Sequence, residues 1–197
     1  MKRIAEDLNF KIAADSPFYG TFGWLGNLLG KYSLSGDLRG KRMEIYSTRF
    51  PHFRQFPLRL VVKMNADFEK QFQITIRAKP LFAPLHSIFE RNIFFTKDPI
   101  LSKRLLLSSD SGDILAAILS YDEICDQLCE VWKSRRSPGV LVANGGSIFY
   151  HEPFGIIGKA TRERIKNAAN LMCDIFDVLS LLRNNWACGE LAWNCCN

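Results

Sequence analysis

Few residues in this sequence have the types and spacing that chemistry requires, and each candidate falls short of a reactive site. Gly26-Asn27-Leu28-Leu29-Gly30-Lys31-Tyr32-Ser33 invites comparison with a phosphate-cradling loop. Such a loop needs four residues between its glycines, and Ser or Thr directly after the Lys to reach magnesium. Here three residues intervene and Tyr32 follows Lys31, so no nucleotide site is expected. His151-Glu152 lacks the second histidine of a metalloprotease helix, and Pro153 would break a helix there. A hydrogen-bonded histidine at a strand end is expected instead. Ser108-Ser109-Asp110-Ser111-Gly112-Asp113 clusters hydroxyls and carboxylates. A calcium loop also needs regular ligand spacing and a distal Glu, so this stretch is expected to be a solvated turn with local capping bonds.

The six cysteines lack the paired CxxC or Cys/His spacing of a zinc site. Cys125, Cys129 and Cys173 fall within helical patterns and are expected to be inert, packed thiols. Cys188, Cys195 and Cys196 lie near the end of the sequence and receive no role. With three histidines, none in a nucleophile context, no Ser/His/Asp or Cys/His set can be assembled. The balance leans away from an enzyme, and no metal or cofactor is expected.

One surface stands out instead. Pro17–Leu29 crowds Phe18, Tyr19, Phe22, Trp24, Leu25, Leu28 and Leu29 into a glycine-rich stretch. Two roles compete: a plug for one end of the core, or an apolar patch for a partner or membrane surface. Arg39, Lys41 and Arg42 of a following turn would suit anionic headgroups. The candidate binding residues are therefore Phe18, Phe22, Trp24, Arg39, Lys41 and Arg42. Two function classes follow. The first is a non-enzymatic interaction or accessory domain that meets a protein partner or an anionic membrane surface. The alternative is a small-molecule-binding protein or enzyme with a pocket between sheet and helices.

The elements that must position these residues can be read from composition and periodicity. The 197 residues are 47% hydrophobic and 23% charged, an ordinary globular mix that can build a core. Net charge is +6, but the 26 Lys and Arg are scattered rather than gathered in a stripe, which weighs against a nucleic-acid role. No apolar run approaches the length of a membrane span. The first residues lack the apolar stretch of a signal peptide. A cytoplasmic protein is expected, with peripheral attachment at the inner membrane as the variant.

A short helix is expected over 2–9 and loop over 15–30. Tyr32 to Leu38 and Met43 to Ser47 alternate as a hairpin about Arg39-Gly40-Lys41. A second hairpin is expected from Leu58–Met64 and Phe72–Ala78, with Arg59, Lys63, Thr75 and Arg77 on the wet face. Phe89–Thr96 reads as a strand. Asp98-Pro99 starts a helix that continues through Leu107. Ile114–Leu119 is helical, and Ser120-x-x-Glu123 reads as a capping box for a helix ending at Arg135-Arg136. A third hairpin turns at Asn144-Gly145-Gly146. A last amphipathic helix spans 161–184, and 185–197 reads as a poorly ordered tail. The class is α+β: one domain over 1–184, an antiparallel sheet built from hairpins with helices packed on one face.

Three stretches also carry a resemblance. They are Leu34-Ser35-Gly36-Asp37-Leu38-Arg39-Gly40-Lys41-Arg42-Met43-Glu44-Ile45, Phe89-Glu90-Arg91-Asn92-Ile93-Phe94-Phe95-Thr96-Lys97-Asp98-Pro99, and the closing hairpin plus helix. Together, over most of 3–183, the chain resembles a group of uncharacterised bacterial domains of unknown function. In that group a G-x-x-x-G-x-x-V-x-I hairpin precedes an F-D-x-x-F-x-V strand and a D-P helix. Glu90 departs from the Asp of that pattern, and the second phenylalanine is displaced by one. The resemblance implies a fold and brings no catalytic residues.

Overall fold

The computed structural model describes residues 2–13, 33–48, 59–68, 71–79, 93–94, 96, 98–133, 139–153 and 158–187. Nine described strands form one antiparallel sheet: β1 (Lys11–Ala13), β2 (Ser33–Leu38), β3 (Lys41–Thr48), β4 (Arg59–Asn65), β5 (Gln73–Ala78), β6 (Ile93–Phe94), β7 (Leu105–Ser109), β8 (Val140–Asn144) and β9 (Ser147–Pro153). Their spatial order is β1-β2-β3-β4-β9-β8-β5-β7-β6. The helices are α1 (Lys2–Leu8), α2 (Pro99–Arg104), α3 (Gly112–Leu119), α4 (Asp122–Val131) and α5 (Lys159–Ala187). This is the α+β class that alternation and helical periodicity imply.

Two-residue alternation decides which face each strand turns to the helices. Leu60, Val62 and Met64 of β4, Ile74 and Ile76 of β5, and Leu141 and Ala143 of β8 are all buried on that face. Their registers align them with Ile45, Ile148 and Tyr150 of the neighbouring strands. Helix α5 lies against β2, β4 and β9, and α1, α3 and α4 pack against α5. Its three-and-four spaced stripe of Ile165, Ala169, Met172, Ile175 and Leu179 is fully buried. No described helix is long and apolar enough to cross a membrane.

Four expectations change in the structure. The strands at 58–64 and 72–78 do not pair with each other: β4 pairs with β3 and β9, and β5 with β8 and β7. The β8–β9 hairpin is inserted between them, and Ala66 and Phe68 donate backbone bonds to Gly146 and Gly145 at its tip. Alternation specifies a strand's face but not its neighbour.

Leu105–Ser109 is a strand rather than the end of a helix. Asp98 caps α2 as expected, its Oδ1 accepting from Ile100 N (2.7 Å) and Leu101 N (3.1 Å). The backbone then turns extended at Leu105, at φ −113° and ψ 148°. Three consecutive leucines favour helix by propensity, and pairing with β5 overrides it.

Ser120 does not open a capping box. It closes α3, its Oγ donating to the Ala117 carbonyl at 2.7 Å, and Tyr121 takes the N-cap position of α4. Asp122 and Glu123 still place negative charge in the first turn of α4, where the helix dipole favours it. Helix α4 ends at Val131 with Trp132 as its C-cap, short of the expected end at Arg135-Arg136, and 134–138 lie outside the described residues. Finally, α5 continues to Ala187, into the segment read as tail.

Candidate functional site

The six residues singled out in the sequence divide into two groups. Phe18, Phe22 and Trp24, with the whole of 17–29, lie outside the described residues. Arg39, Lys41 and Arg42 lie at the β2–β3 turn. That turn is two residues long, with Arg39 at φ 54° and Gly40 at φ 75°. A tight turn with both central residues left-handed matches the twist of its strands, but an arginine adopts that conformation at a cost. Arg39 is held there by an ion pair to Asp174 (Nη1–Oδ1, 2.5 Å) and a longer one to Asp177 (3.4 Å). Lys41 reaches Asp177 at 2.8 Å and lies 5.6 Å from the Phe176 ring centroid. These two cations therefore clamp the hairpin to α5. Arg42 is exposed and stands opposite Asp37 in the ladder.

On the helix side of the sheet the interior is closed by apolar side chains and one buried polar cluster. Glu152 of β9 is 1% exposed. It accepts from Tyr150 Oη (3.0 Å) and from Arg164 of α5 through Nε (3.1 Å) and Nη2 (3.3 Å). Arg164 Nη2 also donates to Thr161 Oγ1 at 3.2 Å. Burial and the adjacent carboxylate push the Tyr150 phenol far above its ordinary range. Tyr150 stacks edge-on against Trp132, whose Nε1 donates to the Gly139 carbonyl at 2.9 Å. This cluster ties β9 to α5 and the end of α4 to the start of β8. Its groups are mutually satisfied, which is the pattern of a structural network.

The opposite face carries a different arrangement. There the registers lay Val61, His151, Val140, Arg77 and Leu106 side by side across five strands, with Thr75 opposite Ser108 one step along. All of these side chains except Val61, together with Arg59, line a recess of about 340 Å³. Arg59 Nη1 lies 3.2 Å from His151 Nδ1. Burial, and then the charge on Arg59, hold the imidazole below its ordinary pKa. An uncharged His151 accepts that guanidinium N–H through Nδ1 and leaves Nε2 as a donor. Burial likewise lowers the Arg59 pKa. No acidic side chain is among the described lining residues. The recess gathers two guanidiniums, an imidazole and two hydroxyls in a partly desolvated setting, and Arg59, Arg77 and Ser108 each also contact a further group of the chain.

The sequence placed Arg59, Thr75 and Arg77 on the wet face but did not bring them together, and it left His151 at a strand end. The missing step was strand order: only insertion of β8–β9 puts His151 between Arg59 and Arg77. Of the three cysteines expected to be buried only Cys173 is fully so, and Cys188, Cys195 and Cys196 lie outside the described residues. Cys173 is fully buried and Cys125 and Cys129 are half-buried, and burial raises all three thiols above their ordinary pKa. No cluster of potential metal ligands occurs among the described residues.

Fold and recess together define an α+β protein whose sheet is roofed by helices on one side and bears a cationic, hydroxyl-lined recess on the other. No family and no curated protein matches the chain. Among solved structures, the crystal structure of the mycobacterial trehalose monomycolate transport factor A, TtfA, aligns over 90% of this chain and 91% of its own. The TM-score is 0.49 and the identity 11%, a likeness too loose to bear on ligand or activity.

Proposed function

We propose that this chain is a non-enzymatic binding or accessory domain that holds an anionic ligand group on the sheet face opposite its helices. The observation that carries this is the convergence of Arg59, Arg77, His151, Thr75 and Ser108 on one recess. Guanidiniums and hydroxyls are donors, and a water-poor setting strengthens their attraction for an anion. Binding rather than turnover is favoured by what the described lining provides. It has no carboxylate or thiol, and its histidine is engaged by Arg59. The helix side of the sheet is filled with buried side chains, which favours this face over a pocket between sheet and helices.

The test is a thermal-shift screen over anionic and neutral metabolites and anionic vesicles, comparing wild type with Arg77→Gln and Arg39→Ala. A ligand that binds the folded state raises Tm. The expected result is stabilisation by anionic compounds that Arg77→Gln abolishes and Arg39→Ala leaves intact. Stabilisation that survives Arg77→Gln but disappears in Arg39→Ala would move the site to the hairpin turn.

A further inference from the structure

We infer that His151 and Arg59 form a proton-operated switch in this recess: protonation of His151 releases Arg59 and turns Nδ1 from an acceptor into a donor for the bound anion. This rests on the binding-domain reading and adds the regulation of that site.

Hydrogen-bond chemistry is the first ground. Arg59 Nη1 lies 3.2 Å from His151 Nδ1. A guanidinium carries donors only, so this contact requires a bare lone pair on Nδ1. An imidazolium carries an N–H at both nitrogens, and the two groups then meet as donor to donor and cation to cation. The contact cannot outlive the proton. Arg59 also contacts a further group of the chain, so its guanidinium keeps an anchor once His151 lets go.

The surroundings are the second ground. In the ladders His151 stands between Val61 of β4 and Val140 of β8, whose side chains accept no hydrogen bond. The charged groups nearby on this face are cations: Arg59, Arg77 beside Val140, and Lys63, which lies 5.9 Å from the Phe149 ring centroid. Tyr46 stands opposite Val61 and Glu44 opposite Lys63, both on β3, two strands from His151. Glu152, next in the chain, belongs to the helix side and is engaged by Arg164. No described carboxylate lines the recess to take up the new Nδ1–H, which leaves that place to a bound anion. The proton thus adds one charge and one donor to the recess, whatever the arginines already contact. Burial and Arg59 hold the imidazole below its ordinary pKa, which keeps the switch uncharged at neutral pH. An anion offsets both effects, so anion and proton each raise the affinity for the other.

The experiment is a nuclear magnetic resonance titration of the full chain between about pH 8 and about pH 5, following the His151 ring protons and the Arg59 Nε–H signal. Sulfate is the probe anion, since it keeps its own charge over this range, and chloride at equal ionic strength is the control. In chloride, His151 should titrate below about 6.5, with the Arg59 signal moving at the same midpoint. Arg59→Met should raise that midpoint. His151→Gln offers Arg59 an amide oxygen at every pH and should leave the Arg59 signal flat. Sulfate should bind about fivefold or more tightly at the acid end than at the neutral end, a difference that His151→Gln removes. By reciprocity the His151 midpoint should be higher in sulfate than in chloride. Circular dichroism confirms that each variant is folded, and the two wild-type signals are read without any variant. An Arg59 signal that stays still while His151 titrates overturns the switch, as does a midpoint unchanged in Arg59→Met. If Arg59 follows His151 but sulfate binds equally at both ends, the coupling to the ligand falls and the binding-domain reading stands. If sulfate binds the recess at neither end, the binding-domain reading falls, and the chloride titration still decides the switch.

Discussion

Replacing Arg164 by Met tests the buried cluster at the junction of β9 and α5. The wild-type Glu152 carboxylate is 1% exposed and is held by three hydrogen bonds, two of them from Arg164. Met keeps the unbranched stem of the side chain and its packing along α5 but removes both charged donors, so Glu152 keeps only the Tyr150 hydroxyl. Stripping one partner from a buried ion pair typically costs about 3–5 kcal/mol, because the remaining charge stays desolvated. The Arg164 side chain is 24% exposed, so water can reach part of the site, which favours the lower end of that range. A loss of about 3 kcal/mol corresponds to a fall in Tm of roughly 6–12 °C for a chain of this size.

Urea unfolding followed by far-ultraviolet circular dichroism measures this loss directly. The double variant Glu152→Gln/Arg164→Met is the decisive comparison. It removes the orphaned charge, leaves an amide that can accept from Tyr150, and should recover more than half of the loss, since the cost lies in the unpaired charge rather than in a missing attraction. A loss below about 0.5 kcal/mol for Arg164→Met would place the pair among ordinary surface contacts. A double variant no more stable than Arg164→Met would show that Arg164 acts through packing.

Other outcomes follow from the same geometry. Gly139→Ala would place a Cβ 2.5 Å from Tyr150 Cζ, so the variant should lose about 1–3 kcal/mol by overpacking, read as a lower urea midpoint. His151 is depressed in the folded state, so the unfolded chain takes up its proton first as pH falls. Wild type should therefore lose stability as pH drops below about 6.5, and His151→Gln should flatten that slope in a series of urea melts. Cys173 is 0% exposed, so in a variant carrying serine at the five other cysteine positions it should react with a thiol reagent only upon unfolding, in step with the loss of circular dichroism. Ile76→Ala, at a fully buried position of β5, should cost about 2–5 kcal/mol in the same melts.

Much of the fold was legible because period-two and three-and-four spacing are local properties. Leu34, Ile45, Leu60 and Ile74, with Ile165, Ala169, Met172 and Leu179 of α5, could each be assigned an inner face from a few neighbours, whereas Phe176, read on the same stripe, is only partly buried. Strand neighbours are a property of the whole sheet, which is why β4 and β5 read as a hairpin. The alternation in β4 and β5 would look the same in either pairing. Strand β7 was hidden because Leu105, Leu106 and Leu107 are all buried, leaving no polar beat to mark the period. The recess depended on both missing facts. Its arginines stand on consecutive strands, but its His151 lies 92 positions beyond Arg59, and its hydroxyl Ser108 belongs to the unrecognised strand. The left-handed Arg39 could not have been foreseen either, because its hold on Asp174 spans 135 positions.

The insertion of β8–β9 into the middle of the sheet has a consequence for how the chain is made. Arg59 and its neighbour His151 are 92 positions apart, so β4 gains its second partner only after most of the chain has been synthesised. At about 5–20 residues per second, the nascent β4 edge waits roughly 5–18 s on the ribosome for β9. Through that interval its Leu60, Val62 and Met64 lack the sheet partner and the roof they later acquire. Such an edge is a place for chaperones to bind or for chains on adjacent ribosomes to pair wrongly. Refolding from denaturant should likewise be slow, since the central seam closes a long loop before any of its contacts form.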